Sequence, residues 1–185
     1  FFINHFDLID DDLHPNGLGT KVMAYLWRNS LLGQSGLPFL LANLSLKSYK
    51  QNLLEAGDQY YIDRTYTLSS IPSELKVKDG IVWIMTAKGN SSNTSESFLS
   101  FKINLSSTVY VAYDSRATSL PNWLANRFVS TGSSLKTKDP EVGTFRLYKA
   151  NFGAGTLTLG GNMAAGARFP SGVSGTNYIV IVKKN

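Results

Sequence analysis

From about residue 41 onward the chain is a succession of short runs in which apolar and polar residues alternate, and this period of two is its strongest constraint on fold. The runs fall at residues 41–49, 59–69, 81–87, 98–105, 108–113, 144–152, 155–159 and 177–183. Within 98–105, Leu99, Phe101 and Ile103 are apolar while Ser100 and Lys102 are polar, so a strand here buries one face and wets the other. Within 108–113, Val109, Val111 and Tyr113 point one way and Tyr110 and Ala112 the other. Turn residues (Gly, Asn, Asp, Pro) separate the runs, and such a series predicts a mainly β body, a β-sandwich or jelly roll. The 16 glycines and the 12% aromatic content suit the same class. Residues 88–96, "KGNSSNTSE", read as a polar loop and 160–175 as a long flexible one; there is no internal repeat.

The first part of the chain has a different texture. Leu18, Val22, Met23, Leu26, Trp27 and Leu31 recur at three- and four-residue spacing, with Lys21, Arg28 and Asn29 on another side, which predicts a helix from Asn16 to about Leu32. Pro15 and Asn16 suit its start and Gly33 its stop. The domain expectation is therefore a short loop-helix piece over 1–36 and a β body over 37–185. One helix and a loop cannot bury both of their sides, so the first piece needs other sequence to pack on.

Ahead of that helix stands "DDDLHPNGLGTK". A histidine acting as general base for a hydroxyl nucleophile needs its second ring nitrogen held by an acceptor, usually a carboxylate. Asp11 and His14, with two residues between them, supply that pair within one turn; the plainer reading is an aspartate cluster capping a helix. His5 has no such partner and reads as structural.

The block Asp-x-x-His, Pro-Asn-x-x-Gly and closing helix resembles the last motif of the SGNH or GDSL-type esterase family, where it ends an α/β three-layer hydrolase domain. The resemblance covers roughly the first thirty residues, and it implies that Asp11 orients His14 and that His14 is the general base. The family's Gly-Asp-Ser nucleophile block and its oxyanion glycine and asparagine do not precede Asp11; Gly57-Asp58-Gln59 has no serine, and Gly160–Asn162 stands in the wrong order. A base without nucleophile or oxyanion hole does not run acyl transfer at a useful rate. The resemblance thus implies the C-terminal part of a longer hydrolase, with an upstream hydrolase domain as partner and no esterase activity in this chain alone.

The β body has a resemblance of its own. "VYVAYDSRATSLPNWL", "LYKANFGAGTLTLGGN" and the final "YIVIV" are similar to a β-sandwich module appended to secreted bacterial proteins, many of them polysaccharide-active, over most of 60–183. Sugar recognition needs an aromatic platform and a few convergent polar groups, usually on loops at a sandwich edge. Tyr113, Asp114, Arg116, Asn122 and Trp123 offer such a set at and beyond one strand end, and Arg116 suits a carboxylate or sulfate on an acidic glycan. The bland alternative is that Trp123, flanked by Leu120 and Leu124, plugs the sandwich while Arg116 and Asp114 pair to pin the loop. Trp83, inside "IVWIM", reads as core; Tyr60 and Tyr61, on opposite faces of one strand, read as one buried and one exposed.

Other classes of function are disfavoured. The net charge of +5 and a pI near 9.4 come from scattered Lys and Arg rather than a basic stripe, so nucleic acid is not expected as a partner. No apolar run is long enough for a spanning helix, and no membrane partner is expected. The opening "FFINHF" meets Asp7 at once and does not read as a signal peptide, so an extracellular or cell-surface protein would carry its signal upstream. With no cysteine there is no disulfide framework. Asp58, Asp63, Asp79, Asp114 and Asp139 are not spaced as a calcium loop, and neither metal nor cofactor is expected. Asn-x-Ser triplets at Asn43, Asn90, Asn93 and Asn104 are frequent by chance in a Ser-rich chain. The composite expectation is the C-terminal region of a secreted SGNH-type esterase whose β-sandwich binds polysaccharide, acylated or acidic. Its alternative is a structural or interaction module, such as a spacer, a surface anchor or a subunit that self-associates through strand edges.

Overall fold

A computed structural model describes residues 50–53, 56–76 and 81–185. Asp11, His14, the helix expected after them and the run 41–49 lie outside the described residues. Among those described, the strands are β1 (Lys50–Leu53), β2 (Leu68–Ser70), β3 (Ile81–Met85), β4 (Leu99–Ile103), β5 (Ser107–Asp114), β6 (Val129–Thr137), β7 (Thr144–Phe152), β8 (Gly155–Leu159) and β9 (Ile179–Lys184). One helical turn, α1 (Asn122–Ala125), joins β5 to β6.

Seven strands make one antiparallel sheet in the order β1-β3-β9-β5-β7-β6-β2, and β4 pairs with β8 in a second, two-stranded sheet. The body is mainly β and sandwich-like, as expected. Its large sheet curls, so that lone bridges Gln59↔Thr67 and Tyr61↔Thr86 link the β2 side of the sheet towards the end of β3.

Two apolar cores follow from the patterns of the strands. β3, "IVWIM", is buried at every position, as is "IVIV" of β9, because both of their faces are covered. Val82, Ile84, Val180 and Val182 meet Leu99, Phe101, Ile103, Leu157 and Leu159 of the small sheet in the first core, closed at one end by Trp123 and Leu124. On the opposite face Trp83, Ile181, Tyr110, Phe145 and Leu147 pack with Tyr60, Tyr61, Leu68 and Leu75 in the second. A side chain such as Phe101, wholly buried, contributes roughly 1.5–3 kcal/mol by leaving water. β4 alternates as its sequence requires, with Ser100 and Lys102 exposed.

The structure departs from the sequence pattern in three places. Of the run 59–69 only Leu68 and Ser69 enter a strand, while residues 59–61 cross the open face of the sheet, which leaves both Tyr60 and Tyr61 fully buried rather than one of them. The Tyr61 hydroxyl donates to the Asn177 carbonyl and lies 2.7 Å from Thr176 Oγ1. β6, "VSTGSSLKT", has no alternation to reveal it: its register with β7 shifts between Ser130 and Ser134, and Gly132 takes a φ of 77° in that irregular stretch. The long loop after β8 is not a free excursion. Gly161 N–H donates to Ser95 O, Met163 N–H to Asn93 O, and the Asn162 side-chain amide to Ser91 O, tying it to the 88–96 loop.

Candidate functional site

β5 carries chemistry at both of its ends. At the C-terminal end stand the residues singled out by sequence. Tyr113 is wholly buried, and its hydroxyl donates to the Asn162 carbonyl at 2.5 Å. Burial, then the negative charge of Asp114, pushes this phenol well above its ordinary pKa. Trp123 is 7% exposed; its indole N–H donates to the Gly161 carbonyl at 3.0 Å, and its ring lies 5.2 Å from Tyr178 and edge-on to Phe128 at 6.2 Å. Pro121 opens the turn that aims Trp123 inward, and the main-chain N–H of Asn122 donates to Ala165 O at 2.7 Å. The Asn122 side chain, in an exposed residue, lies close to Gly166.

Asp114, 1% exposed, gathers the loop: its carboxylate accepts from Arg116 Nη2 at 2.7 Å, Arg116 Nε at 3.1 Å, Arg116 N–H at 3.0 Å and Thr176 N–H at 3.1 Å. Arg116 Nη2 also donates to Ser174 O, and its side chain keeps about 30% exposure. The structure therefore brings Asp114 and Arg116 together as a pinning pair and places Tyr113 and Trp123 in the first core. Stacking on a sugar needs an open ring face, and burial removes the faces of both Tyr113 and Trp123 from that role. The plug and the pinned loop are what these residues form.

Beside this loop a second set of charges is also neutralised internally. Lys88 Nζ lies 2.8 Å from Glu141 and 3.8 Å from Asp139, and 4.9 Å from the centre of the Tyr66 ring. Burial pulls the Lys88 pKa down, but the Glu141 hydrogen bond and the Asp139 charge outweigh it and leave the ammonium above its usual value. The hydrogen bond from Lys88 holds the Glu141 carboxyl below its own. Asp139, inside the body, accepts from the Tyr60 hydroxyl at 3.3 Å and from Glu141 N–H at 2.8 Å.

The other end of β5 opens into a depression of about 500 Å³ lined by Thr108, Tyr110, Arg127, Val129, Lys149, Ala150 and Asn151. Register explains the gathering. Thr108 faces Asn151 across β7, Tyr110 faces Lys149, and Lys149 in turn faces Val129 of β6, so these side chains share one face of the sheet. The Thr108 hydroxyl is 2.7 Å from Oδ1 of both Asn151 and Asn185. Tyr110 has its ring in the second core; burial, then the charge of Glu74, raises its phenol. Arg127 is held over the Phe152 ring at 5.4 Å and donates from Nη1 to Thr158 O at 3.0 Å. Val129 leaves 64% of its surface open at the rim. Sequence reading missed this site. Its signal is the polar residue at alternate positions of two runs, Thr108 in one and Lys149 and Asn151 in the other, and that signal is read as an ordinary wet face until the pairing of β5 with β7 is known.

No family model and no curated protein matches the chain. Among solved structures it is similar in fold to part of a β-glucuronidase from glycoside hydrolase family 2, with a TM-score of 0.65 and 16% identity over 82% of this chain. The matched part is 15% of that enzyme's length. A GH138 enzyme targeting pectin rhamnogalacturonan II aligns with a TM-score of 0.45 and 17% identity, covering 86% of this chain and 19% of that one.

Proposed function

We propose that the β body is a polysaccharide-binding accessory module of a secreted or cell-surface enzyme, and that it takes its ligand in the depression at the start of β5. The observation that carries this reading is that residues with hydroxyl (Thr108, Tyr110), amide (Asn151) and cationic (Arg127, Lys149) side chains, from β5, β7 and the segment before β6, line one cavity. A saccharide needs such a set for its hydroxyls, and the exposed Val129 offers an apolar contact for a ring face. The fold likeness to part of a β-glucuronidase, a glycoside hydrolase, adds support. Affinity electrophoresis against a panel of polysaccharides tests it: retention by at least one polymer is expected, reduced in Asn151→Ala with the fold intact.

The burial of Tyr113 and Trp123 favours a second reading, a structural or self-associating module, because it withdraws the aromatic platform. Sedimentation that depends on concentration, with no retention on any polymer, decides for that reading. For residues 1–36 the proposal rests on the motif alone: Asp11 and His14 as the orienting acid and base of an SGNH-type hydrolase. Mixing the chain with a fragment carrying a Gly-Asp-Ser block and assaying a short-chain ester tests it. Binding of the fragment without turnover rules it out.

A further inference from the structure

Resting on that reading, we infer that the depression selects anionic saccharides and that Lys149 and Arg127 hold the carboxylate of a uronate or the sulfate of a sulfated sugar. Lys149 and Arg127 both line the cavity, and no carboxylate residue does. At the opposite end of β5 the cations are already spent: Arg116 lies 2.7 Å from Asp114 and Lys88 lies 2.8 Å from Glu141. Neither Lys149 nor Arg127 has an ion-pair partner among the described residues. Glu74, whose charge acts on Tyr110, is outside the lining, and its main-chain carbonyl takes Lys183 Nζ at 3.2 Å.

Arg127 is also preorganised. Its contact with Phe152 and its bond to Thr158 O fix the guanidinium while leaving further N–H donors for a planar anion. Thr108, Tyr110 and Asn151 then supply donors and acceptors for neutral hydroxyls beside the charged group, the combination a charged sugar presents. A neutral polymer leaves both cations without counter-charge and forfeits their contribution.

The experiment uses two pairs of polymers in affinity electrophoresis, alginate with its propylene-glycol ester and κ-carrageenan with agarose, at low and moderate salt. Retention is expected on alginate, carrageenan or both, and is lost on the uncharged member of the pair. Which of the two retains the protein tells carboxylate from sulfate. Lys149→Gln should weaken retention roughly tenfold, as removal of a charge-assisted hydrogen bond does, with unchanged thermal unfolding. Arg127→Gln should weaken it as well, and Lys102→Gln, the same charge change on the exposed face of β4, should leave it as it was. Equal retention on charged and uncharged partners, or equal loss in the Lys102 and Lys149 variants, overturns the inference. Retention on neutral polymers alone overturns it while leaving the glycan reading in place. No retention on any polymer ends both.

Discussion

The indole N–H of Trp123 donates to the Gly161 carbonyl at 3.0 Å, and the same ring closes over Gly160, where a Cβ would run into it. At Gly161 a Cβ would strike the main chain of Asn93, which has little room to yield. Gly161→Ala should therefore destabilise the body by about 3 kcal/mol. Trp123→Ala should lose about 4 kcal/mol through the cavity it leaves. Denaturant unfolding measures both, and any loss of glycan retention in the tryptophan variant has to be read against that loss of fold.

Asp114 holds the loop by accepting from four donors, whereas Arg116 keeps part of its head in water. Removing the carboxylate strands the Thr176 N–H inside the body, so Asp114→Ala should cost about 3 kcal/mol. Arg116→Ala should cost less, because the acid retains the main-chain donors of Arg116 and Thr176. Equal losses in chemical denaturation would show that the guanidinium, not the amides, secures the loop.

Alkali should unfold the body more sharply than a count of its tyrosines suggests. Burial raises the phenols of Tyr60, Tyr61 and Tyr113, and Lys88 is raised by Glu141 and Asp139 against the opposing effect of its burial. A raised folded pKa contributes stability that is complete below the unfolded value and disappears as pH climbs through the folded one. The decline should begin near pH 10 for the tyrosines and near 10.5 for Lys88. Glu141 acts in the opposite sense: its lowered pKa gives stability present above 4.5 and lost as pH falls through the folded value. Tyrosinate absorbance and circular dichroism followed together should rise and fall in one transition. Ionisation of all tyrosines in a still-folded protein would contradict this.

Two glycines with open space around them separate backbone conformation from packing. Gly132 has a φ of 77° and Gly143 an ordinary one, and a Cβ at either meets nothing within 4 Å. Gly132→Ala should cost about 1–2 kcal/mol from the left-handed backbone alone. Gly143→Ala should be neutral or add about 0.5 kcal/mol by restricting the unfolded chain. Thermal unfolding of the two variants side by side is the measurement.

Residues whose burial follows from their own neighbours were legible before the fold was known. Leu99, Phe101 and Ile103 alternate with exposed positions, and the unbroken "IVWIM" and "IVIV" runs belong to strands covered on both faces. β6 was hidden because Ser130, Thr131, Gly132, Ser133 and Ser134 carry no apolar signal, their place being set by pairing with β7. Tyr60 shared that difficulty, since its burial depends on a segment crossing the sheet. The candidate site was legible only in part. Asp114 and Arg116 are two residues apart and their pairing is local, whereas Thr108 meets Asn151 across 43 positions, and no local pattern specifies that register.

β9 lies between β3 and β5, although it is the last described strand in the chain. A ribosome therefore delivers the middle of the large sheet after both of its flanks. Until Ile179–Lys184 emerges, β3 and β5 each wait with an unfilled edge, and the nascent body consists of two half-sheets that cannot join. A stop codon placed just before that strand would leave a pair of adhesive fragments instead of a shortened domain.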